Sequence, residues 1–207
     1  PVPIVLVGSQ RSSDRPSSDA ALNLMHAMTA AGHGDVAEVM VCMFGPTSDE
    51  YGFLHRGTRV RKMHSSYRST FRTLSDVPLA TITRKGVVPI KQNYNPRRKD
   101  RKVNIYPYFE EKVAIVYYYP NMMPDIIDSL VDNGYRGIII AGTGLGHINK
   151  PLYPAIERAH AKGVHMFMAV QTLYGYCHMF VYDTGRDLMA KGIVPAANML
   201  PETAYIK

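Results

Sequence analysis

The chain of 207 residues is 46% hydrophobic and 20% charged, a globular composition that excludes disorder, collagen and coiled coil and suffices for one large domain or two modest ones. Its 24 Lys and Arg against 17 Asp and Glu leave a formal charge of +7, compatible with an anionic partner but no proof of one. Two cysteines, Cys42 and Cys177, and no Cys/His cluster at zinc-ligand spacing argue against a disulfide scaffold or a structural metal and predict a reducing, cytoplasmic setting.

No apolar run reaches the roughly 20 residues of a membrane-spanning helix, so no membrane association is expected. The chain opens at Pro1, inside a strand pattern running Pro3 to Gly8, and closes at Pro201 to Lys207 on what reads as a helix start. Both ends therefore read as cut.

A polar loop, Ser9 to Pro16, follows the opening strand, and Ser17-Ser18-Asp19 then caps a helix with Ala21, Leu24, Met25 and Met28 on one face. Val36 to Phe44 reads as a second strand and Gly45 to Asp49 as a turn. The next segment, Phe53 to Lys62, crowds Arg56, Arg59, Arg61 and Lys62 among apolar residues, so some of these cations must face solvent or a ligand. From Lys91 to Lys102 six cations face one acid, Asp100, and this basic stretch is the predicted linker. It separates a region 1–102 from a region 103–207.

Beyond the linker the rhythm changes. Val113 to Tyr119 reads as a strand, Pro124 to Asn133 as a short amphipathic helix stopped by Gly134, and Gly137 to Ala141 as a near-continuous apolar strand. The turn Gly142-Thr143-Gly144-Leu145-Gly146-His147 leads into a helix from Pro151 to Lys162, and Val164 to Val170 gives another strand. Alternating strands and helices with short turns predict an α/β fold with a parallel, three-layer sheet.

Three constellations could carry chemistry. The glycine turn lies where a strand ends and a helix begins, a place for an anion, but its spacing is wrong for dinucleotide binding and tight-turn geometry explains it as well. The Ser9 to Asp19 loop reads as helix capping, as a substrate-lining loop, or as the seat of a serine nucleophile, although no histidine partner stands at a recognisable spacing. Lys62 sits among like charges that favour the neutral amine, the form able to accept a proton, while a solvated basic face is the plainer reading. The Lys91 to Lys102 stretch, with Tyr94 and Tyr106 nearby, could contact RNA phosphates or serve simply as a solvated linker.

Taken together, Val7 to Leu24, Arg56 to Ser66 and Gly142 to His147 resemble the asparaginase/glutaminase superfamily, the first two blocks most closely its archaeal branch, the glutaminase subunits of glutamyl-tRNA(Gln) amidotransferases. Gln171 to Gly175 and Tyr182 to Arg186 extend the similarity over essentially the whole chain. The resemblance implies an asparaginase-like fold of two lobes, truncated at both ends: a partial larger lobe in 1–102 and an incomplete smaller one in 103–207. It implies hydrolysis of the glutamine side-chain amide by a threonine nucleophile, with ammonia passed to an E subunit that uses ATP and magnesium to amidate Glu-tRNA(Gln). No cofactor or metal is implied for this chain itself, and tRNA would be met mainly through the partner.

By the same resemblance Lys62 matches the lysine of a Thr-Asp-Lys catalytic group. Ser9 and Gln10 line the amide pocket, and His147 sits at a site shared across a homodimer. The family's two threonine motifs are absent from these residues, and Thr58 and Thr143, each preceded by glycine, have the wrong context to replace them. Alternatives are a free-standing L-asparaginase and a non-catalytic fragment of a split gene.

Overall fold

The computed structural model describes residues 1–207, which fall into two compact units, Pro1–Tyr106 and Pro107–Lys207. In the first, β1 (Ile4–Val7) leads through the loop to α1 (Ala20–His33) and back to β2 (Val39–Phe44), parallel to β1. Then β3 (Gly52–Arg56) reverses against β2, β4 (Val60–Lys62) and β5 (Phe71–Thr73) form a separate antiparallel hairpin, and β6 (Ala80–Thr83) and β7 (Gly86–Pro89) complete a sheet of order β1-β2-β3-β6-β7.

Parallel pairing, expected throughout, is thus confined here to β1 and β2. The reason is connection length: parallel neighbours need a crossover of a dozen residues or more, which α1 supplies, whereas β6 and β7 are joined by Arg84-Lys85 alone, short enough only for a hairpin. Met40, Cys42, Leu54, Leu79 and Ile82 form the core against Ala27 and Ala30 of α1.

The helix itself is where sequence placed it, but its orientation is reversed. Asn23, His26, Ala27 and Ala30 are buried, while Leu24, Met25 and Met28 of the predicted inner face are exposed. Two alanines let the helix lie close to the sheet, and buried Asn23 is tied to the polar loop that precedes the helix. Strand β1, at the sheet edge, leaves Ile4 and Leu6 more than half exposed.

The second unit is regular. Strands β8 (Val113–Tyr117), β9 (Gly137–Gly142), β10 (His165–Val170) and β11 (Ile193–Pro195) are all parallel in the order β11-β10-β9-β8. Helices α2 (Asp125–Asp132), α3 (Tyr153–Ala161, entered by a 3-10 turn at Lys150–Leu152) and α4 (Asp183–Ala190) provide the crossovers. Period-two alternation divides the strands between two faces. Ile138, Ile140, Met166 and Met168 pack with Ile127, Ile156 and Leu188 of those helices. Ile139 and Ala169 point the other way, to Met199 and Ala204 around α5 (Pro201–Ile206). Helix, sheet and helix make the three predicted layers. No helix is long and apolar enough to cross a membrane.

Candidate active site

The carboxyl end of β1 delivers Gly8, Ser9 and Gln10 into a loop whose shape is set by one buried carboxylate. Asp19, 1% exposed, accepts hydrogen bonds from the amide nitrogens of Gln10 (3.1 Å to each oxygen) and Arg11 (2.8 Å). Asn23, one helical turn on, donates through Nδ2 to Asp19 Oδ2 at 2.6 Å and to the Gly8 carbonyl at 2.9 Å. Ser18 Oγ closes the loop from the other side by donating to the Arg11 carbonyl at 2.9 Å. Backbone amides that would face solvent in a free loop are consumed here, so the chain from Gly8 to Arg11 is held in one conformation.

Opposite this loop stands Lys62, the last residue of β4, paired in register with Phe71. Gly8, Ser9, Gln10, Lys62 and Phe71 line one cavity of about 280 Å³, floored by Val41 and Met43 of β2. Three of the four site residues expected from sequence therefore share a single pocket. The hairpin that carries Lys62 is itself braced: Met63 N donates to the Thr70 carbonyl at 2.7 Å, Thr70 Oγ1 bonds the backbone of His64, and His64 Nδ1 accepts from the amides of Ser66 (3.1 Å) and Tyr67 (2.8 Å).

Arginines flank the pocket loop. Arg11 and Arg68 place their guanidiniums over the Phe44 ring, at 5.7 and 4.8 Å from its centroid, and both bond Asp49. The shared carboxylate offsets the repulsion between two cations on one ring.

His147, the fourth expected residue, belongs to the second unit. It closes the glycine turn, its carbonyl accepting from Thr143 N at 3.0 Å, while its Nδ1 hydrogen-bonds with Thr184 Oγ1 at 3.0 Å and its ring meets Tyr182 edge-on at 5.4 Å. Its Nε2 is buried without a partner. The turn is built for close packing: at Gly146, φ is +108° and a Cβ would stand 2.8 Å from Cys177 Sγ and 2.9 Å from Met168 Cγ. Thr143 is exposed at this turn and its hydroxyl donates to the His147 carbonyl at 3.2 Å.

Both cysteines are free and buried. Burial pushes the Cys42 thiol up to about 12 and that of Cys177 to about 11, so both stay protonated at neutral pH. No group of three or more His, Cys, Asp or Glu side chains converges to hold a metal ion. Sequence placed Asp19 in a helix cap and in a loop that could line substrate without giving it the clamp, and it gave no part to Asn23 or to Thr184 beside His147. The i, i+4 spacing of Asp19 and Asn23 on a helix start was the available signal.

A strand thus ends on a rigid serine-bearing loop, and a lysine from a separate hairpin lines the same pocket. The N-terminal asparaginase family model matches residues 1–95, and the glutaminase/asparaginase C-terminal domain model matches residues 112–207. The chain belongs to the asparaginase/glutaminase family.

Within that family, the chain is 52% identical over 205 residues to the D subunit of glutamyl-tRNA(Gln) amidotransferase from Thermococcus kodakarensis. That alignment covers 99% of the chain and 46% of the relative. The corresponding protein of Methanopyrus kandleri is 50% identical, again over 99% of the chain and 46% of the relative. The chain thus spans about half the length of the curated relatives it matches. Among solved structures, the thermostable L-asparaginase from Thermococcus kodakarensis superposes with a TM-score of 0.85 at 26% identity, covering all of this chain and 60% of that one. L-asparaginase I from Vibrio cholerae shares the fold, with a TM-score of 0.84 at 24% identity over 99% of this chain and 60% of that one.

Proposed function

We propose that this chain is part of the glutamine-hydrolysing component of a tRNA-dependent amidotransferase, working in the cytoplasm to supply ammonia for the conversion of Glu-tRNA(Gln) to Gln-tRNA(Gln). The observation that carries this reading is the convergence of Ser9, Gln10 and Lys62 on one pocket, in a chain half identical to amidotransferase D subunits along its whole length.

In this reading the Gly8 to Gln10 backbone and the Ser9 and Gln10 side chains hold the glutamine amide. Lys62 is the base that takes a proton from a threonine nucleophile or from the attacking water, and the threonines lie outside these 207 residues. The clamp by Asp19 and Asn23 fixes the substrate wall without reorganisation during the reaction. An E subunit receives the ammonia and holds the ATP and magnesium, and no cofactor is assigned to this chain. His147, steadied by Thr184, faces a site shared in a homodimer.

The likeness to solved L-asparaginases favours one second reading, a free-standing asparaginase, which would need no partner and prefer asparagine. Ammonia release from glutamine and from asparagine tests both. The 207-residue chain, once circular dichroism shows it to be folded, is expected to release no ammonia. The intact protein that contains it is expected to release ammonia from glutamine, and Lys62→Met is expected to lower that rate by about 100-fold or more, the scale of a lost general base. Near-normal activity in Lys62→Met removes its role, preference for asparagine without a partner selects the second reading, and activity of the chain alone moves the nucleophile inside it.

A further inference from the structure

Many cations of this protein are neutralised where they stand. Arg56 lies against Glu38 and Asp76, Lys91 against Asp76, Arg11 and Arg68 against Asp49, Arg158 between Asp128 and Asp132, and Lys191 against Glu157. Cations without a carboxylate partner also stand elsewhere, at Arg15, Arg84, Lys85 and Lys150, but residues 97–102 are their densest run. They hold five cations against one acid, a net +4 of the chain's +7, and Arg98, Lys99, Arg101 and Lys102 are exposed with no ion pair to hold them.

The root of this stretch is rigid. Arg97 caps the end of α1, donating to the carbonyls of Gly34 at 2.6 Å and Ala31, while its amide bonds the Asp35 carbonyl at 2.8 Å. Val36 bridges Pro96, Ala37 N donates to the Asn95 carbonyl at 2.7 Å, and Asn95 N donates to Glu38 Oε1 at 2.9 Å. Past this anchor the chain runs without helix or strand to β8.

Immediately after the cations the chain turns apolar rather than solvating. Ile105 is 79% exposed, Tyr106 80% and Tyr108 88%, and Phe109 is also exposed. A linker that merely stays in water is rich in Gly, Ser, Pro and acids, and has no use for three bare aromatic rings within four residues. Unpaired cations succeeded by exposed aromatic faces are the combination that holds single-stranded nucleic acid: charge tracks the backbone and unstacked bases lie on the rings.

We propose that residues 98–109 are a contact strip for unpaired RNA, with Arg98, Lys99, Arg101 and Lys102 on the phosphates and Tyr106 and Tyr108 stacking on bases. The preference for RNA over an anionic lipid surface rests on the tRNA-dependent function proposed above. The strip is distinct from the amide pocket, so the two can be tested separately.

The test is fluorescence anisotropy of a labelled single-stranded RNA of about 12 nucleotides, a length within the usual single-strand site size, with the 207-residue chain across a salt series. Binding is expected to fall with salt at a log–log slope of about −3, the value for four phosphates on a single strand. A variant with Arg98, Lys99, Arg101 and Lys102 all changed to Ser is expected to lose both the binding and most of the slope. Tyr106→Leu with Tyr108→Leu is expected to weaken binding about tenfold or more at unchanged slope. All these side chains are exposed, so unchanged circular dichroism and melting temperature accompany each variant. The proposal is overturned if the Ser variant binds RNA like the parent, if the Leu variant does so, or if phosphatidylserine vesicles capture the chain while RNA does not. RNA binding that persists in an intact protein unable to hydrolyse glutamine removes the amidotransferase reading and leaves the strip.

Discussion

His55 shows how one buried side chain couples this fold to pH. It lies on β3, 2% exposed, with Nδ1 2.8 Å from Thr73 Oγ1 of β5, so it ties the sheet to the hairpin that carries Lys62. Burial, reinforced by nearby Arg72, lowers its pKa from 6.5 to about 4. The folded protein therefore keeps the ring neutral over a range in which the unfolded chain protonates it. Stability from this group is complete above pH 6.5, declines as pH falls toward about 4, and falls no further below that. Between about pH 7 and pH 5 the loss is about 2 kcal/mol, from roughly 1.4 kcal/mol per pH unit. His26, lowered by burial and by Arg84, acts in the same direction. Urea unfolding at the two pH values is expected to show the parent losing about 2 kcal/mol more than His55→Gln. Equal losses would mean that the ring is not held neutral.

At the scale of elements, the Asp19 clamp joins a strand end, a loop and a helix start. Asp19→Ala removes one carboxylate and leaves the Gln10 and Arg11 amides and the Asn23 side chain without their acceptor. The expected cost is about 2–4 kcal/mol, read as a lower urea midpoint, because buried donors are left unsatisfied. Faster hydrogen exchange at Gln10 and Arg11, with β10 unchanged, would place the damage at the pocket wall, and Asp19→Asn should restore part of the protection. Legibility at this scale was uneven for physical reasons. Each element from Val113 to Val170 could be read because buried parallel strands are apolar runs and their helices carry terminal Pro and Gly signals. The burial of α1 could not. Its inner face consists of small and polar residues, Ala27, Ala30, Asn23 and His26, whereas Leu24, Met25 and Met28 advertise a core they do not enter. Ser9, Gln10 and Lys62, which line one cavity, were singled out through family resemblance, because three short blocks are specific together where charge and spacing are not. Asp19 was read as part of a cap and of a loop that could line substrate, and its role as the clamp was not legible, since a capping aspartate and a loop-holding aspartate look the same in sequence.

The two units bury their apolar residues in different ways, and this predicts different stabilities. In residues 107–207 every strand is parallel, both sheet faces are covered, and nineteen buried residues form one continuous core from Val116 to Ile193. In residues 1–106 the main core cluster has nine buried residues, β1 is an edge strand with Ile4 and Leu6 open to water, and the outer face of α1 leaves Met28 65% exposed. Since burial of apolar surface is the dominant favourable contribution to folding, the second unit has the larger share of it. Residues 107–207 produced alone are expected to fold, with a cooperative thermal transition by circular dichroism and slow amide exchange through β9 and β10. Residues 1–106 alone are expected to exchange faster, first at β1 and the outer turns of α1, because an edge strand paired on one side opens without breaking the rest of the sheet. Slower exchange in β1 than in β9 would show that exposure of apolar surface does not set the order of opening here. A second unit that stays unfolded alone would show that its core, continuous as it is, depends on the rest of the chain.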